Sequence, residues 1–406
     1  MRQFLLLLCF SICIQLFSGC KNSYQREITD ELSRIKEQYA PDTRTTLFDV
    51  KINQDGQLTV EGETNLADAF NELDSILKVK YPKVDFRVKL LPSKSLDSLI
   101  RGITTVSVAN LRPTPRHSAE LVTQAILGTP VKVLKKEANW YLIQTPDSYL
   151  GWTAVGGITL CTEKGLSNYN QSERIIFTDL TGTCYSLPDK NSRPVSDIVA
   201  GSILETTGLK MGFLEVQFPD GRGGYIPQDQ CMLLAEWREL FPAGPETIVK
   251  TALKFLGLPY LWGGTSSKGV DCSGFTKTVY FMNGIILQRD ASQQALYGEL
   301  VDNHDNMDKL EPGDLLFFGI HETDSTAEKV THVGIYIGNS EIIHSSSGAG
   351  RVGINSLLPG KENYNGYLDS TFIRARRILT CVGQPGIESV FSNELYFTSI
   401  DIAKTE

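Results

Sequence analysis

The chain has 406 residues, with 39 Lys and Arg against 47 Asp and Glu, a formal net charge of −8. At 41% hydrophobic and 21% charged it is a globular composition, which excludes a wholly disordered or collagen-like chain; the length suits two to four domains of ~150 residues. An acidic chain without a long Lys/Arg run is not built to hold a phosphate backbone or to adsorb electrostatically to anionic lipid, so no nucleic-acid partner is expected.

In chain order the first element is a leader. Arg2 precedes an uncharged run from Phe4 to Ser18. It is shorter than the ~20 residues of a spanning helix and fits the apolar region of a secretory signal. The run ends Leu16-Phe17-Ser18-Gly19-Cys20, and small residues before a Cys resemble a bacterial lipobox. That resemblance implies a signal peptide over residues 1–19, a lipid on the Cys20 thiol and a mature protein anchored to a membrane rather than spanning it. Lys21-Asn22 does not resemble an acidic surface-export tag, so the expected location is the bacterial envelope, facing the periplasm. Cys9 and Cys13 leave with the signal. Cys161, Cys184, Cys231, Cys272 and Cys381 remain, and an odd cysteine in an exported chain suggests a free reactive thiol. The four other than Cys272 allow three pairings, or stand reduced in the core.

The expected fold is multidomain α+β. Residues 20–100 read as a polar tether, with room for a short helix before residue 40, followed by a small ββαβ unit. Thr45 to Ile52 alternates, Gln54-Asp55-Gly56-Gln57 is a turn, Leu58 to Glu61 is a second strand, and Leu66, Ala69, Phe70, Leu73, Ile76 and Leu77 fall at helical spacing. Phe86 to Leu90 is the third strand. Over residues 101–235 a shift of 73 superposes Pro115 on Pro188, Gly128 on Gly201, Gln144 on Gln217, Pro146 on Pro219, Asp147 on Asp220 and Gly151 on Gly224, while Trp140 and Trp152 meet Phe213 and Tyr225. A fixed offset argues a duplicated module. Short strands with Gly and Pro-Asp turns make each a small β-barrel, over residues 101–165 and 170–236. Their closing Gly-Trp and Gly-Tyr strands resemble bacterial SH3-like (SH3b) modules. Residues 240–380 form the last domain. A helix runs from Glu246 to Leu256, a glycine-rich turn passes Trp262-Gly263-Gly264, and a helix opens at Val270-Asp271-Cys272-Ser273-Gly274-Phe275. Strands follow at Asp314 to Phe318, Val333 to Ile337, Glu341 to Ser345 and near Ile373 to Ile378. Residues 381–406 read as a tail.

The chemistry concentrates in that last domain. A cysteine in the first turn of a helix meets the positive end of the dipole, which favours the nucleophilic thiolate. Of five His, His332 and His344 lie on consecutive strands around Gly338-Asn339. With a three-residue loop His332 faces Ser346, and His344 is its diagonal same-face neighbour at ~7–8 Å between backbones. A two-residue loop turns His344 to the other face. In the first register Cys272 attacks as thiolate, His332 takes and returns its proton, and His344 orients His332. Backbone N–H groups at the helix start hold the oxyanion. His117, His304 and His321 fall in polar loops. No HExxH or paired CxxC is present, so neither a metal nor another cofactor is expected.

Asp271-Cys272-Ser273-Gly274-Phe275, then His332-Val333-Gly334-Ile335-Tyr336, then His344, resembles the NlpC/p60 cysteine peptidases, over about 140 residues. The resemblance implies a papain-like fold and cleavage of bacterial wall peptides. Barrels preceding such a domain look like the γ-D-glutamyl-L-diamino acid endopeptidases of the dipeptidyl-peptidase VI type, which release L-Ala-γ-D-Glu from murein stem peptides with a free L-Ala amine. By that likeness Asp290, in Arg289-Asp290-Ala291-Ser292, binds the amine, with Ser292 beside it. Tyr260 and Trp262 wall the dipeptide site, and Ser273 donates to the D-Glu carboxylate. The first barrel supplies Glu120 and Tyr149, and the enzyme acts as a monomer. The competing readings are an endopeptidase of intact peptidoglycan in wall remodelling, a non-catalytic wall-binding lipoprotein, and acyl transfer.

Overall fold

The structure is a computed structural model that describes residues 24–54, 57–302 and 307–397. Cys20 with its leader, and His304, lie outside the described residues. The chain divides into two compact units, Met1–Asp97 and Ser98–Glu406.

In the first unit a helix α1 (residues 24–39) precedes β1 (Phe48–Asn53), β2 (Thr59–Thr64), α2 (Ala67–Lys80) and β3 (Asp85–Leu90). β1 and β2 form an antiparallel hairpin, and β3 returns parallel to β2. A parallel return needs a crossover, and α2 supplies it. Ala69, Leu73 and Leu77 of α2 pack with Val60 and with Ile28, Leu32 and Ile35 of α1. Of the two readings of the stretch before residue 40, the structure has the helix from residue 24 on, packed into the core, and the order is αββαβ. Ile28, Leu32 and Ile35 recur at the four- and three-residue steps of one helical face, a signal masked by the polar residues between them.

The second unit begins with β4 (Arg101–Thr104), β5 (Val108–Leu111), β6 (Thr123–Ile126), β7 (Pro130–Glu137), β8 (Trp140–Gln144), β9 (Leu150–Ala154) and β10 (Ile158–Cys161). After α3 (Glu163–Gln171) come β11 (Arg174–Phe177), β12 (Thr181–Tyr185), β13 (Pro194–Val199), β14 (Ile203–Lys210), β15 (Phe213–Gln217), β16 (Gly223–Pro227) and β17 (Cys231–Leu233). The offset of 73 reappears in the ladders without a gap. Lys132 pairs with Gln144 and Glu205 with Gln217, each pair followed by a bulge, at Val133/Lys135 and at Thr206/Gly208. Arg112 bridges Trp152, as Tyr185 bridges Tyr225.

The last region holds α4 (Leu234–Glu239), α5 (Pro245–Lys254), the short hairpin β18 (Thr265–Ser266) and β19 (Gly269–Val270), α6 (Cys272–Phe281), β20 (Ile285–Leu287) and α7 (Ala291–Gln294). Then come β21 (Glu299–Asp302), β22 (Leu315–Ile320), β23 (Lys329–Gly338), β24 (Glu341–Ser346), β25 (Arg351–Ser356), α8 (Gly366–Thr371), β26 (Phe372–Arg377) and β27 (Ile387–Ser389). Six of these strands make an antiparallel sheet in the order β21-β26-β22-β23-β24-β25. Phe275 and Val279 of α6 pack on Val333, Ile335 and Ile343 of the sheet, which lays the start of α6 against β23.

The described part of the expected tail is built into the fold. β27 pairs with β20, and Val390, Phe391, Tyr396 and Phe397 pack around Trp237 and Ile286. Asn170 and Arg174 donate to the carbonyls of Leu395 and Tyr396 at 2.8 and 3.0 Å. Cys161, Cys184, Cys231, Cys272 and Cys381 are all free thiols.

Candidate active site

Asp271 caps α6. Its Oδ1 accepts the Gly274 N–H at 2.7 Å, and its Oδ2 accepts the Gly263 N–H at 2.9 Å. A Cβ on Gly274 would sit 1.9 Å from the Gly264 carbonyl oxygen, so the glycine-rich turn can lie on the helix only at a glycine. Arg289, 2% exposed, holds the same carboxylate, with Nη1 at 3.1 Å from Oδ1 and Nη2 at 2.5 Å from Oδ2. Burial opposes the guanidinium charge, but Asp271 outweighs it and holds Arg289 above its ordinary pKa. The result is a rigid helix start with Cys272 as its first residue. Ser273 is 4% exposed. Its hydroxyl accepts from Arg289 Nη1 at 2.9 Å and donates to Asp271 Oδ1 at 3.4 Å, so it belongs to this buried network.

The backbone N–H groups of Ser273 and Val333 both point at the Cys272 sulfur, which sets the thiol beside the strand residue that follows His332. His332 Nε2 is 2.7 Å from His344 Nδ1, and His344 Nε2 is 2.9 Å from Asn355 Oδ1. Asn355 Nδ2 donates to the Asn363 carbonyl at 3.1 Å, which fixes the amide so that its oxygen faces His344. An amide oxygen can only accept. The proton of His344 is therefore on Nε2, its Nδ1 accepts from His332 Nε2–H, and the lone pair of His332 is on Nδ1. One amide thus sets the tautomers of two imidazoles. Asn355 was not singled out from the sequence; it lies a strand beyond His344, and its partnership depends on the β24–β25 register, in which Asn355 faces Ile342.

The hairpin carrying the two histidines combines the two loops weighed from the sequence. Ile335 faces Ile343 and Tyr336 faces Ile342, the register expected of a three-residue loop. The turn itself is Asn339-Ser340, both left-handed at φ 55° and 61°, a two-residue loop matched to strand twist. A bulge between Tyr336 and Gly338 takes up the odd residue and keeps His344 on the face of His332.

The resting charges differ from the expectation of a thiolate. Burial, with Asp271 adding to it, pushes the Cys272 thiol up to about 12, against the pull of Arg289 and the two N–H groups. Burial, with His344 beside it, pushes His332 down to about 3, and burial also lowers His344 while Asn355 opposes. Burial thus favours the neutral thiol and the neutral imidazole over the charged pair. The dipole contribution at a helix end, about 0.3–1 kcal/mol at an exposed position, is smaller than the cost of desolvating a buried charge.

Several of the remaining candidates join the first module to the last domain. Tyr260 is pushed up to about 12 by burial, with Cys272 and Asp271 adding to it. Trp262, 63% exposed, donates its indole N–H to Glu120 Oε1 at 2.5 Å. Tyr149 donates to Asp290 Oδ2 at 3.3 Å. Asp290 caps the short helix α7, with Gln293 reaching back to its N–H at 3.1 Å, and its carboxylate lies 3.9 Å from Arg289 Nη1. Ser292 follows in the first turn of α7. Gln124 of the first module donates to Thr265 Oγ1 through its N–H and accepts from the Thr265 N–H and the Ser266 hydroxyl, at 2.9–3.2 Å. The structure thus brings Glu120 and Tyr149 to the last domain. His117 and His321 are exposed. Among the described residues no group of His, Cys, Asp and Glu is arranged to hold a metal ion.

A thiol at a helix start, an imidazole pair on an adjoining sheet and an orienting amide are the parts of a cysteine hydrolase site. Residues 257–377 match the NlpC/P60 family, and residues 111–157 match the bacterial dipeptidyl-peptidase Sh3 domain. The chain is 30% identical over 271 residues to a gamma-D-glutamyl-L-lysine dipeptidyl-peptidase of Bacillus cereus, covering 65% of this chain and 77% of that one. It is 41% identical over 231 residues to the protein of the same name in Bacillus subtilis, covering 55% and 71%. A crystal structure of an NlpC/P60 family protein from Bacillus cereus aligns with a TM-score of 0.59 at 26% identity, covering 69% of this chain and 99% of that one. The chain belongs to the NlpC/P60 family and is a peptidase of the cysteine type.

Proposed function

We propose that the chain hydrolyses the γ-D-Glu to L-diamino acid bond of murein stem peptides whose N-terminal L-Ala is free, releasing L-Ala-γ-D-Glu. The observation that carries this reading is the pairing of Tyr149, from the first module, with Asp290 at one end of the Cys272 site. A substrate ammonium entering a partly buried place needs a carboxylate, and Asp290 is that carboxylate. Glu120, bonded to Trp262, adds a second contact between the first module and the last domain, and in this reading the module leaves little room for an intact glycan chain.

In this reading His332 Nδ1 takes the thiol proton as Cys272 attacks the γ-carbonyl and later delivers it to the leaving amine. His344 and Asn355 hold the tautomer. The N–H of Cys272 has no carbonyl one turn back, and it receives the oxyanion. Tyr260 and Trp262 line the dipeptide site, Ser292 flanks Asp290, and Ser273 acts by holding Arg289. The second strand set, residues 170–236, is an SH3b-like module like the first, the peptidase domain spans 240–380, and the enzyme works as a monomer. Cys20 carries a lipid that anchors it in the bacterial envelope, facing the periplasm, where it trims released muropeptides.

The test is hydrolysis of L-Ala-γ-D-Glu-L-Lys, free and N-acetylated, by wild type, Cys272→Ala and Asp290→Ala, with products identified by mass spectrometry. Cleavage confined to the free peptide, absent in Cys272→Ala and reduced at least about tenfold in Asp290→Ala, is expected. Equal cleavage of both peptides by wild type would refute the free-amine requirement and favour action on intact wall.

A further inference from the structure

Asp147 lies in the turn between β8 and β9 of the first module and is 3% exposed. Its carboxylate accepts from no group of its own module among the described residues. The group that meets it is the ammonium of Lys277, which belongs to α6, the helix that begins with Cys272. A buried carboxylate is costly unless paired, and here the partner comes from another domain.

The repeated module supplies an internal comparison. At the offset of 73 the counterpart of Asp147 is Asp220, in the same turn. Asp220 is satisfied within its own turn, accepting the Arg222 N–H at 3.2 Å and Arg222 Nε at 2.7 Å. The counterpart of Arg222 in the first module is Tyr149. Where the second module spends this position on its own aspartate, the first places there the phenol that touches Asp290 and leaves its aspartate to the catalytic helix.

The turn transmits position. Ser148, left-handed at φ 66°, donates its N–H to the Thr145 carbonyl at 2.8 Å, and Thr145 donates its N–H to the Tyr149 carbonyl at 3.0 Å. Thr145 Oγ1 donates to the same carbonyl at 3.2 Å. Asp147 and Tyr149 therefore move as one piece. We propose that the Asp147–Lys277 ion pair is a positioning device for substrate selection: it ties the turn bearing Tyr149 to the helix bearing Cys272, and so fixes the distance between the amine end of the site and the nucleophile. This rests on the free-amine reading above.

Asp147→Asn and Lys277→Met in the full chain test it, alone and combined, with Lys277→Arg as the variant that keeps the charge. Kinetics are read on free and N-acetylated L-Ala-γ-D-Glu-L-Lys. Each neutralising variant is expected to raise KM for the free peptide about tenfold with kcat within about twofold, and to narrow the preference for the free amine. The double variant should be no worse than either single one, because one interaction is being removed. Lys277→Arg should keep most of the preference. Tyr149→Phe should leave Asp147→Asn little further to lose, since the pair acts through Tyr149. The inference is overturned if Asp147→Asn keeps wild-type KM and preference, or if kcat and KM for both peptides change in parallel, as a loss of general stability would produce. Should the single variants not fold, the double variant, which leaves no unpaired buried charge, decides between the same two results. A wild type indifferent to N-acetylation would instead refute the free-amine reading itself.

Discussion

Asn355→Leu removes the oxygen on which the histidine tautomers depend while preserving the shape of the side chain. The His344 Nε2–H, 2.9 Å from that oxygen, is then buried without an acceptor, which costs about 1–3 kcal/mol. Moving the His344 proton to Nδ1 relieves this. That proton then faces His332 Nε2 across 2.7 Å and drives the His332 proton onto Nδ1, the atom that must accept from Cys272. The productive tautomer is depopulated by the same free energy, so kcat should fall about 5- to 150-fold at 1.36 kcal/mol per decade. KM should hold, because Asn355 lies behind His344. The assay is steady-state release of L-Ala-γ-D-Glu by liquid chromatography and mass spectrometry, with ¹⁵N chemical shifts of the imidazoles reporting the tautomer. A folded Asn355→Leu protein with kcat within twofold of wild type, or one whose loss lies wholly in KM, would refute the argument.

Cys272→Ala should abolish hydrolysis with an unchanged melting temperature, and turnover near wild type would remove Cys272 as nucleophile. Because burial pushes the Cys272 thiol up to about 12, the resting enzyme should show no thiolate absorbance near 240 nm at pH 7 relative to Cys272→Ser; a thiolate step below pH 7 would contradict this. His332, driven to about 3 from 6.5, binds fewer protons folded than unfolded between those values. Stability should therefore fall as pH drops from about 6.5 toward 3. The raised thiol has the opposite sense, with stability present below 9 and lost as pH rises from 9 toward about 12. Melting curves across pH, compared with His332→Ala and Cys272→Ala, should lose the acid and alkaline slopes respectively. Arg289→Met strands the Asp271 carboxylate, whose partner is 2% exposed, and should destabilise by about 3–5 kcal/mol in urea unfolding; a change under 1 kcal/mol would show that the helix cap does not need its counter-ion.

The placing of Cys272 at a helix start, the facing of His332 and His344 and the repeat were legible because each follows from local spacing: a cysteine after a capping aspartate, two histidines about one turn, and an offset of 73. Asn355, Arg289 and Lys277 were not, because each acts across a register or an interface that no single segment encodes. Arg289 was read as a neighbour of Asp290, yet its stronger bond is to Asp271, eighteen positions back. The hairpin loop could not be decided from its length, since a bulge changes the count without changing the face. The sign of the thiol shift was missed for a related reason. A helix end is visible in sequence, but the depth of burial at that end is set by β23 and the turn 263–264. The apolar residues near Val390 and Tyr396 were signals of a packed strap, diluted by the polar residues between them.

In the proposed reading, the first of the two repeated strand sets contributes to specificity without any catalytic group of its own. Two residues and one partner distinguish the copies at this end: Glu120 and Tyr149 in the first stand where Arg193 and Arg222 stand in the second, and the shared aspartate meets Lys277 as Asp147 but Arg222 as Asp220. Arg222, besides holding Asp220, donates to the Thr105 carbonyl of the first module at 2.8 Å. The second copy thus braces the first, while Gln124 and Asp147 fasten the first to the last domain. Held from both sides, the first module cannot swing away from Asp290 without breaking a buried ion pair. In the proposed reaction a group on the L-Ala nitrogen then both removes the charge that Asp290 needs and collides with a fixed wall. Loosening the wall alone, at Asp147, should therefore lessen the collision while the charge requirement at Asp290 persists, and the two contributions to selectivity separate.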